Sequence, residues 1–274
     1  MTNKITAARA ALHMWEEPCI SGTNGSGTVF FSGCPLGCIF CQNRPIALGK
    51  SGSEITIEEL SAIFLKLKDQ GAHNINLVTP THFVPSIVEA VAMSRQRGLD
   101  LPIVYNTGSY EQVETVRMLA DTVDIFLPDL KFYENDTADR YAKAPDYFEV
   151  ATAAIAEMVR LAGPPIFENG LMKRGVIVRH LIMPGHTKGA IAILEHLKER
   201  FGDSIFISLM NQYTPMPGIE SHFPELGRTL TKREYAKVMK AALDMGITNA
   251  FYQEGSTVGE SFIPAFDGKG ITHE

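Results

Sequence analysis

The feature that most constrains the fold is an alternation of short apolar runs with longer amphipathic stretches. The strand-like runs are "TVFFSG" from Thr28, "NINLVT" from Asn74, "LPIVYNT" from Leu101, "DIFLPDL" from Asp124, "GVIVRHLIMPG" from Gly175 and "SIFISLM" from Ser204. Most are nearly all apolar, as strands are when helices cover both faces of a parallel sheet. Capping-box patterns open the helical stretches at Thr56, Ser86, Ser109, Asp146 and Thr231. The alternation predicts right-handed βαβ crossovers in one sheet.

The number of units limits how far this sheet can close. A complete (β/α)8 barrel needs eight units and typically about 250 residues, whereas six units are recognisable here and residues 1–27 and 136–163 use part of the 274-residue chain. We therefore predict an α/β fold, an open, partial parallel (β/α)6 barrel of the TIM type. "NAFYQEG" from Asn249 is a candidate final strand. We expect a single domain, with an N-terminal extension (1–27), a barrel core (28–255) and a C-terminal tail (256–274).

Composition narrows the setting and the partners. The net charge is −6 and no run of Lys or Arg occurs, which argues against a nucleic-acid or membrane partner. The N-terminus has no long apolar segment typical of a secretory signal. Four cysteines in 274 residues do not make a disulfide scaffold, so we expect a cytoplasmic, reducing location.

Three of the four cysteines are crowded into eight residues, with the spacing Cys34-x3-Cys38-x2-Cys41. An odd number of thiols in a reducing compartment argues against a disulfide. Zinc would need a fourth ligand, such as Cys19 or His13, and zinc motifs usually pair two knuckles or add two histidines. An iron–sulfur cluster held by three thiolates fits the spacing better, because one iron keeps an open position for chemistry. The loop follows the first predicted strand, and the strand ends of α/β barrels carry active sites.

With Phe40 directly before Cys41, "SGCPLGCIFCQN" resembles the cluster motif of the radical S-adenosylmethionine (radical SAM) superfamily. Together with "DLK", it is similar to the pyruvate formate-lyase activating-enzyme group, and "RHLIMPG" and "NLVTPTHF" most resemble its PflX-like branch. The resemblance implies a 4Fe–4S cluster on Cys34, Cys38 and Cys41. It also implies that S-adenosylmethionine binds the open iron and is reductively cleaved to a 5′-deoxyadenosyl radical, which abstracts hydrogen from a substrate.

The resemblance extends to the loop after the second predicted strand. Many relatives carry Gly-Gly-Glu there to hold the amino group of the cofactor, whereas this chain has Thr79-Pro80-Thr81. We expect the carbonyls of Thr79 and Pro80 and the hydroxyl of Thr81 to accept from that group. The competing interpretation is an ordinary strand-to-helix turn. Phe40 is expected to lie beside the cofactor.

Polar residues at later strand ends complete the expected cofactor site. Asn106 ends the third strand and can bond the ribose or cap a turn. Asp129 and Lys131 are two residues apart on an extended segment and therefore face the same way. We expect Lys131 to contact the cofactor carboxylate. The alternative is that Asp129 and Lys131 form an exposed ion pair. Arg179 interrupts the fifth strand next to His180, so the two face opposite sides; Arg179 pairs either with the cofactor carboxylate or with an internal Asp.

The expected activity is that of a radical SAM oxidoreductase. The resemblance implies a glycine of a partner glycyl radical enzyme as the substrate and an electron donor of the flavodoxin or ferredoxin type. Radical modification of another peptide or small molecule, and a non-catalytic metal-stabilised binding module, remain open alternatives. The function of Cys19 is not assigned beyond that of a buried thiol.

Overall fold

A computed structural model describes residues 4–252 and 264–271. The strands are β1 (Ile5–His13), β2 (Ser26–Phe31), β3 (Ser53–Ile55), β4 (Ile75–Val78), β5 (Ile103–Thr107), β6 (Ile125–Pro128), β7 (Ile166–Glu168), β8 (Leu171–Leu181), β9 (Phe206–Met210) and β10 (Ala250–Tyr252). The α-helices are α1 (Pro18–Ser21), α2 (Arg44–Ala47), α3 (Ile57–Asp69), α4 (Val84–Gln96), α5 (Val113–Arg117), α6 (Asn135–Ala142), α7 (Tyr147–Ala162), α8 (Thr187–Phe201) and α9 (Lys232–Asp244). Short 3-10 helices cover Thr81–Phe83, Ile219–Ser221 and Pro224–Leu226.

Nine of the ten described strands follow the order β10-β9-β8-β6-β5-β4-β2-β1-β3 in one sheet that is not closed, and β7 pairs antiparallel with β8 off this path. All neighbours from β2 to β10 pair in parallel. The six predicted strands are therefore confirmed, with β10 as a seventh parallel strand; residues 253–255 of its predicted span lie outside the described residues. This order confirms the open, partial parallel barrel. It arises because βαβ crossovers place successive strands side by side.

The N-terminal extension is part of this sheet rather than an appendage to it. Strand β1 pairs antiparallel with β2 on one side and with β3 on the other. Residues 264–271 lie along β1, where the amide of Ala10 donates to the carbonyl of Lys269 at 2.9 Å. The sequence did not indicate this pairing, because "ITAARAALH" lacks the β-branched alternation that marks an edge strand. The division into one domain stays a prediction.

Helix α1 closes the N-terminal end of the barrel. Cys19 and Ile20 lie in one buried cluster with residues from the starts of β5, β6 and β8, among them Val104, Ile125 and Ile177. The side chain of Asn74, just before β4, donates to the carbonyl of Ile20 at 2.7 Å. The barrel therefore has an apolar floor, and the segment that precedes α1 must cross the barrel interior.

Two of the five capping boxes form as predicted. The hydroxyls of Thr56 and Thr231 accept from the third residue of α3 and α9, and the glutamates Glu59 and Glu234 return the bond. The other three predictions were wrong. Ser86 lies inside α4, Ser109 has a left-handed backbone (φ 66°), and Asp146 makes no side-chain cap bond.

Candidate functional site

The cysteine loop begins directly after β2 and is held by backbone hydrogen bonds to distant elements. The amide of Gly37 donates to the carbonyl of Ala142 at 2.9 Å, and that of Ile39 donates to the carbonyl of Tyr141 at 2.9 Å. A Cβ at Gly108 would lie 2.9 Å from the side chain of Leu36, so a small residue lets the loop approach the end of β5. The end of α6 and the end of β5 therefore set the position of the thiols.

The three clustered cysteines line one cavity of about 590 Å³ in the mouth of the barrel. This volume lies within the ordinary range of cofactor sites, roughly 300–1,000 Å³. Of the other predicted cofactor residues, Phe40, Thr79, Asn106, Asp129, Lys131 and Arg179 line it as well. Pro80 and Thr81 are not among the lining residues. The fold thus brings together residues from four strand ends and one loop.

Burial disfavours the free thiolate form of the three cysteines, and a nearby ammonium group offsets part of this effect. Burial raises the pKa of all three thiols, that of Cys38 to about 12, while the Lys131 ammonium lowers each one. An uncharged thiol is a poor ligand, so a metal group must supply the missing stabilisation of the thiolates. The Lys131 ammonium acts on all three thiols and fits the negative charge of such a centre.

The donor set fits an iron–sulfur cluster better than a single zinc ion. Within residues 4–252 and 264–271, no three His, Cys, Asp or Glu side chains come together to hold one metal ion. Thiolates of a cluster bind different irons and need not converge on one point. Cys19, a candidate fourth zinc ligand, is packed in the apolar floor and does not line the cavity. Its pKa is raised to about 12 by burial, as expected of an inert thiol.

Phe40 is 8% exposed and forms part of the cavity wall. Its ring packs 6.1 Å from that of Phe132 and 6.3 Å from that of Tyr213, measured between centroids. The aromatic residue before the last cysteine therefore joins the loop to the barrel core while presenting one side to the cavity. Cofactor contact by Phe40 stays a prediction.

Asp129, Lys131 and Arg179 form a buried ion-pair network beneath the thiols. The Lys131 Nζ donates to Asp129 Oδ2 at 2.5 Å and the Arg179 Nε to Asp129 Oδ1 at 2.8 Å. Arg179 also donates from Nη2 to Asn106 Oδ1 at 2.6 Å and from Nη1 to Glu16 Oε2 at 3.0 Å. The structure shows the internal ion pair of Arg179 with Asp129, and each guanidinium nitrogen has a protein acceptor. Contact of Arg179 with the cofactor carboxylate stays a prediction. His180 faces the helical layer, where its Nδ1 bonds the carbonyl of Leu130.

The loop after β4 is anchored away from the cavity. The Thr81 hydroxyl donates to Glu111 at 2.9 Å, and Glu111, 3% exposed, also accepts from Tyr105 and Thr107. Thr79 adopts a left-handed backbone (φ 55°), which is strained for a β-branched residue. The Thr81 side chain thus serves the turn, as the alternative interpretation had it. Any contact of Pro80 and Thr81 with the cofactor stays a prediction.

Glu16 and Glu17 line the same cavity, and the sequence analysis missed both. They belong to the segment between β1 and α1 that crosses the barrel interior. Glu16 accepts from Arg179, Asn76 and Asn106. The sequence does show two adjacent acidic residues before a proline. Acidic residues outside a strand or helix pattern are usually exposed to solvent, so this pair gave no indication of a site. Only the antiparallel pairing of β1 turns them inward.

Tyr147 positions the strand ends that carry Asp129 and Lys131. Its hydroxyl, fully buried, lies 2.8 Å from the carbonyl of Asp129 and 3.0 Å from that of Gly108, and accepts from the amide of Lys131 at 3.0 Å. One side chain from α7 therefore ties the loops after β5 and β6 together.

No helix of the described residues is long and apolar enough to cross a membrane.

Comparisons with known proteins agree with this geometry. Residues 28–197 match the family described as the radical SAM superfamily. An uncharacterised protein of Methanocaldococcus jannaschii is 28% identical over 242 residues, covering 84% of this chain and 65% of the relative.

Among solved structures, anSMEcpe with bound AdoMet aligns at TM-score 0.53 and 15% identity, over 78% of this chain and 57% of that one. A domain of a Bacteroides vulgatus pyruvate-formate lyase-activating enzyme aligns at TM-score 0.47 and 14% identity, over 64% of this chain and 94% of that one; this score is too low to carry an argument. The chain thus spans about two thirds or less of the length of the curated relative and of anSMEcpe. The family match covers more than half of the sequence, and the chain belongs to the radical SAM superfamily.

Proposed function

We propose that Cys34, Cys38 and Cys41 bind a 4Fe–4S cluster and that the adjoining cavity binds S-adenosylmethionine. When bound, the two cofactors supply reductive cleavage to a 5′-deoxyadenosyl radical, which abstracts hydrogen from a substrate. The observation that carries the proposal is that three thiols without a closed single-ion ligand set line a cavity large enough for a cofactor. Membership of the superfamily indicates an enzyme.

The protein side chains orient the cofactor and shield the reaction. Lys131, 21% exposed and within 2.5 Å of Asp129, supplies a cation for a carboxylate, while Asp129 and Asn106 offer acceptors for hydroxyl groups. Phe40 packs one face of the cavity and excludes water. Thr79 presents backbone acceptors in a strained turn, and Pro80 and Thr81 follow it along the chain. Arg179 holds Asp129 in place through their ion pair.

Two sequence motifs bear on the substrate and the reductant. Similarity of "SGCPLGCIFCQN" and "DLK" to the activating-enzyme group supports a glycine of a partner glycyl radical enzyme as substrate. It supports an electron donor of the flavodoxin or ferredoxin type, in the cytoplasm. The second candidate is radical modification of another peptide or small molecule. The Glu17 carboxylate favours it, because Glu17 lines the cavity, its Oε2 has no hydrogen-bond partner among the described residues, and a glycine has no side-chain donor to match it.

The test of the cluster assignment is anaerobic reconstitution of wild type and Cys38→Ala. Wild type should be brown with roughly four irons per chain and should release 5′-deoxyadenosine with reductant and S-adenosylmethionine. Cys38→Ala should lose both, and Cys19→Ala, the matched control outside the cavity, should keep both. Retention of the iron and of cofactor cleavage by Cys38→Ala would refute the assignment. Deuterium transfer from a labelled candidate substrate into 5′-deoxyadenosine then separates the two substrate classes.

A further inference from the structure

The cavity is lined by two carboxylates, Glu16 and Glu17, that the cofactor assignment does not use. Among the described residues that line it, three carboxylates (Glu16, Glu17 and Asp129) face two cations, Lys131 and Arg179. Glu16 and Asp129 share Arg179, and Asp129 also holds Lys131. Among these residues, neither cation forms an ion pair with the third carboxylate, although Arg179 attracts it electrostatically.

Glu17 is the carboxylate that is left over. It is 8% exposed, and its Oε2 has no hydrogen-bond partner in the described part of the chain. Ser208, itself 4% exposed, hydrogen-bonds the carboxylate. No cationic nitrogen of residues 4–252 or 264–271 forms an ion pair with Glu17. Arg179 attracts the carboxylate electrostatically, but its guanidinium donates to Asp129, Glu16 and Asn106. A buried oxygen without a donor is costly, so Oε2 of Glu17 is an acceptor that a ligand can satisfy.

The register of the sheet places Glu17 on the side away from the thiols. Asp129 bridges to Arg179, and Arg179 pairs with Ser208, so these three residues form one layer across the barrel. Lys131 lies two residues further toward the carboxyl end of its strand, where its charge acts on the three cysteines. Glu17 reaches the layer from the floor formed by α1. A ligand held by Glu17 thus lies on the opposite side of this layer from the cluster loop.

We propose that Glu17 anchors the substrate and that the substrate carries a protonated amine. This rests on the proposed function, in which the substrate reacts inside this cavity. An ammonium group supplies both the missing positive charge and the missing donor to Oε2, and charge-assisted hydrogen bonds are the strong ones. The terminal torsion of a glutamate is broad and two-fold, so Glu17 can turn its free oxygen to the amine and keep its bond with Ser208. The partner class is a primary amine, free or on a peptide.

The probes are n-pentylamine and 1-pentanol, which share an apolar chain and differ in charge. Their dissociation constants are measured by ligand-observed NMR on the full, reconstituted chain without reductant. We expect pentylamine to bind wild type roughly tenfold more tightly than pentanol and Glu17→Gln to lose this preference. Glu157→Gln, which removes an equally buried carboxylate outside the cavity, should keep it.

Three results would overturn the inference. The first is a wild type without amine preference, and the second is a Glu17→Gln variant that keeps this preference. The third is a loss of S-adenosylmethionine affinity in Glu17→Gln as large as the loss for pentylamine, which assigns the carboxylate to the ammonium of the cofactor. Glu17→Gln should fold, because it removes an unpaired charge at constant shape. If it unfolds, Glu17→Asp serves instead: it must retain the amine preference, and its loss refutes the role of the charge.

The outcome is separable from that of the proposed function. Amine binding needs neither reductant nor cleavage of the cofactor. A protein that prefers pentylamine but never releases 5′-deoxyadenosine contradicts the proposed function alone. A protein that cleaves the cofactor and shows no amine preference contradicts this inference alone.

Discussion

Arg179→Met should cost the protein a large share of its stability. The guanidinium is 13% exposed and donates to Asp129, Glu16 and Asn106 at 2.6–3.0 Å. Methionine has a similar volume but offers no donor. Glu16, 9% exposed, would lose the cation with which it pairs, whereas Asp129, 16% exposed, would keep its ion pair with Lys131.

The magnitude follows from the burial of both partners. Removing one member of a buried ion pair typically costs about 3–5 kcal/mol, because the remaining charge is left uncompensated. For a chain of this size that is roughly 6–20 °C in Tm. It is a large share of a total free energy of unfolding of about 5–15 kcal/mol.

Urea unfolding followed by circular dichroism at pH 7 measures the effect on the cluster-free chain. The matched control is Arg160→Met, because Arg160 also makes two bonds to a glutamate but is 63% exposed. An exposed pair contributes about 0–1 kcal/mol. A change of less than about 1 kcal/mol in the free energy of unfolding of Arg179→Met would refute the view that this network is buried and coupled.

Two further predictions concern neighbouring groups. Lys131→Ala should keep its iron but bind S-adenosylmethionine roughly tenfold more weakly, a loss of about 1.4 kcal/mol in binding free energy. Equilibrium dialysis measures this affinity, with Lys143→Ala at an exposed position as the control. Unchanged affinity would mean that Lys131 serves the fold alone. Burial lowers the pKa of His180 to about 4. The unfolded chain therefore takes up a proton at a higher pH than the folded chain. The free energy of unfolding should fall as the pH drops from about 6.5 toward 4. His180→Gln should flatten that decline by up to about 1.4 kcal/mol per pH unit in urea titrations, and an unchanged slope would contradict a neutral, buried His180.

The parallel part of the fold could be predicted because its signals are local. A strand buried on both faces must be apolar along its whole length, and the crossover rule then orders the strands. The edge that β1, β3 and residues 264–271 complete was not predictable in this way. Their pairing depends on distant backbone partners, and "ITAARAALH" has no strong intrinsic preference for a strand.

The candidate site also has one part that short-range sequence patterns predict and another part that depends on distant contacts. By itself the sequence determined the thiol spacing, the family, and which strand ends carry Asn106, Asp129, Lys131 and Arg179, because each is a short-range pattern. Only the tertiary structure decided which charges neutralise each other. Arg179 is taken up by Glu16, a residue 163 positions away along the chain, and burial with one cation too few leaves Glu17 unpaired. Pair energies in a low-dielectric interior depend on distances across the barrel, which no local pattern encodes.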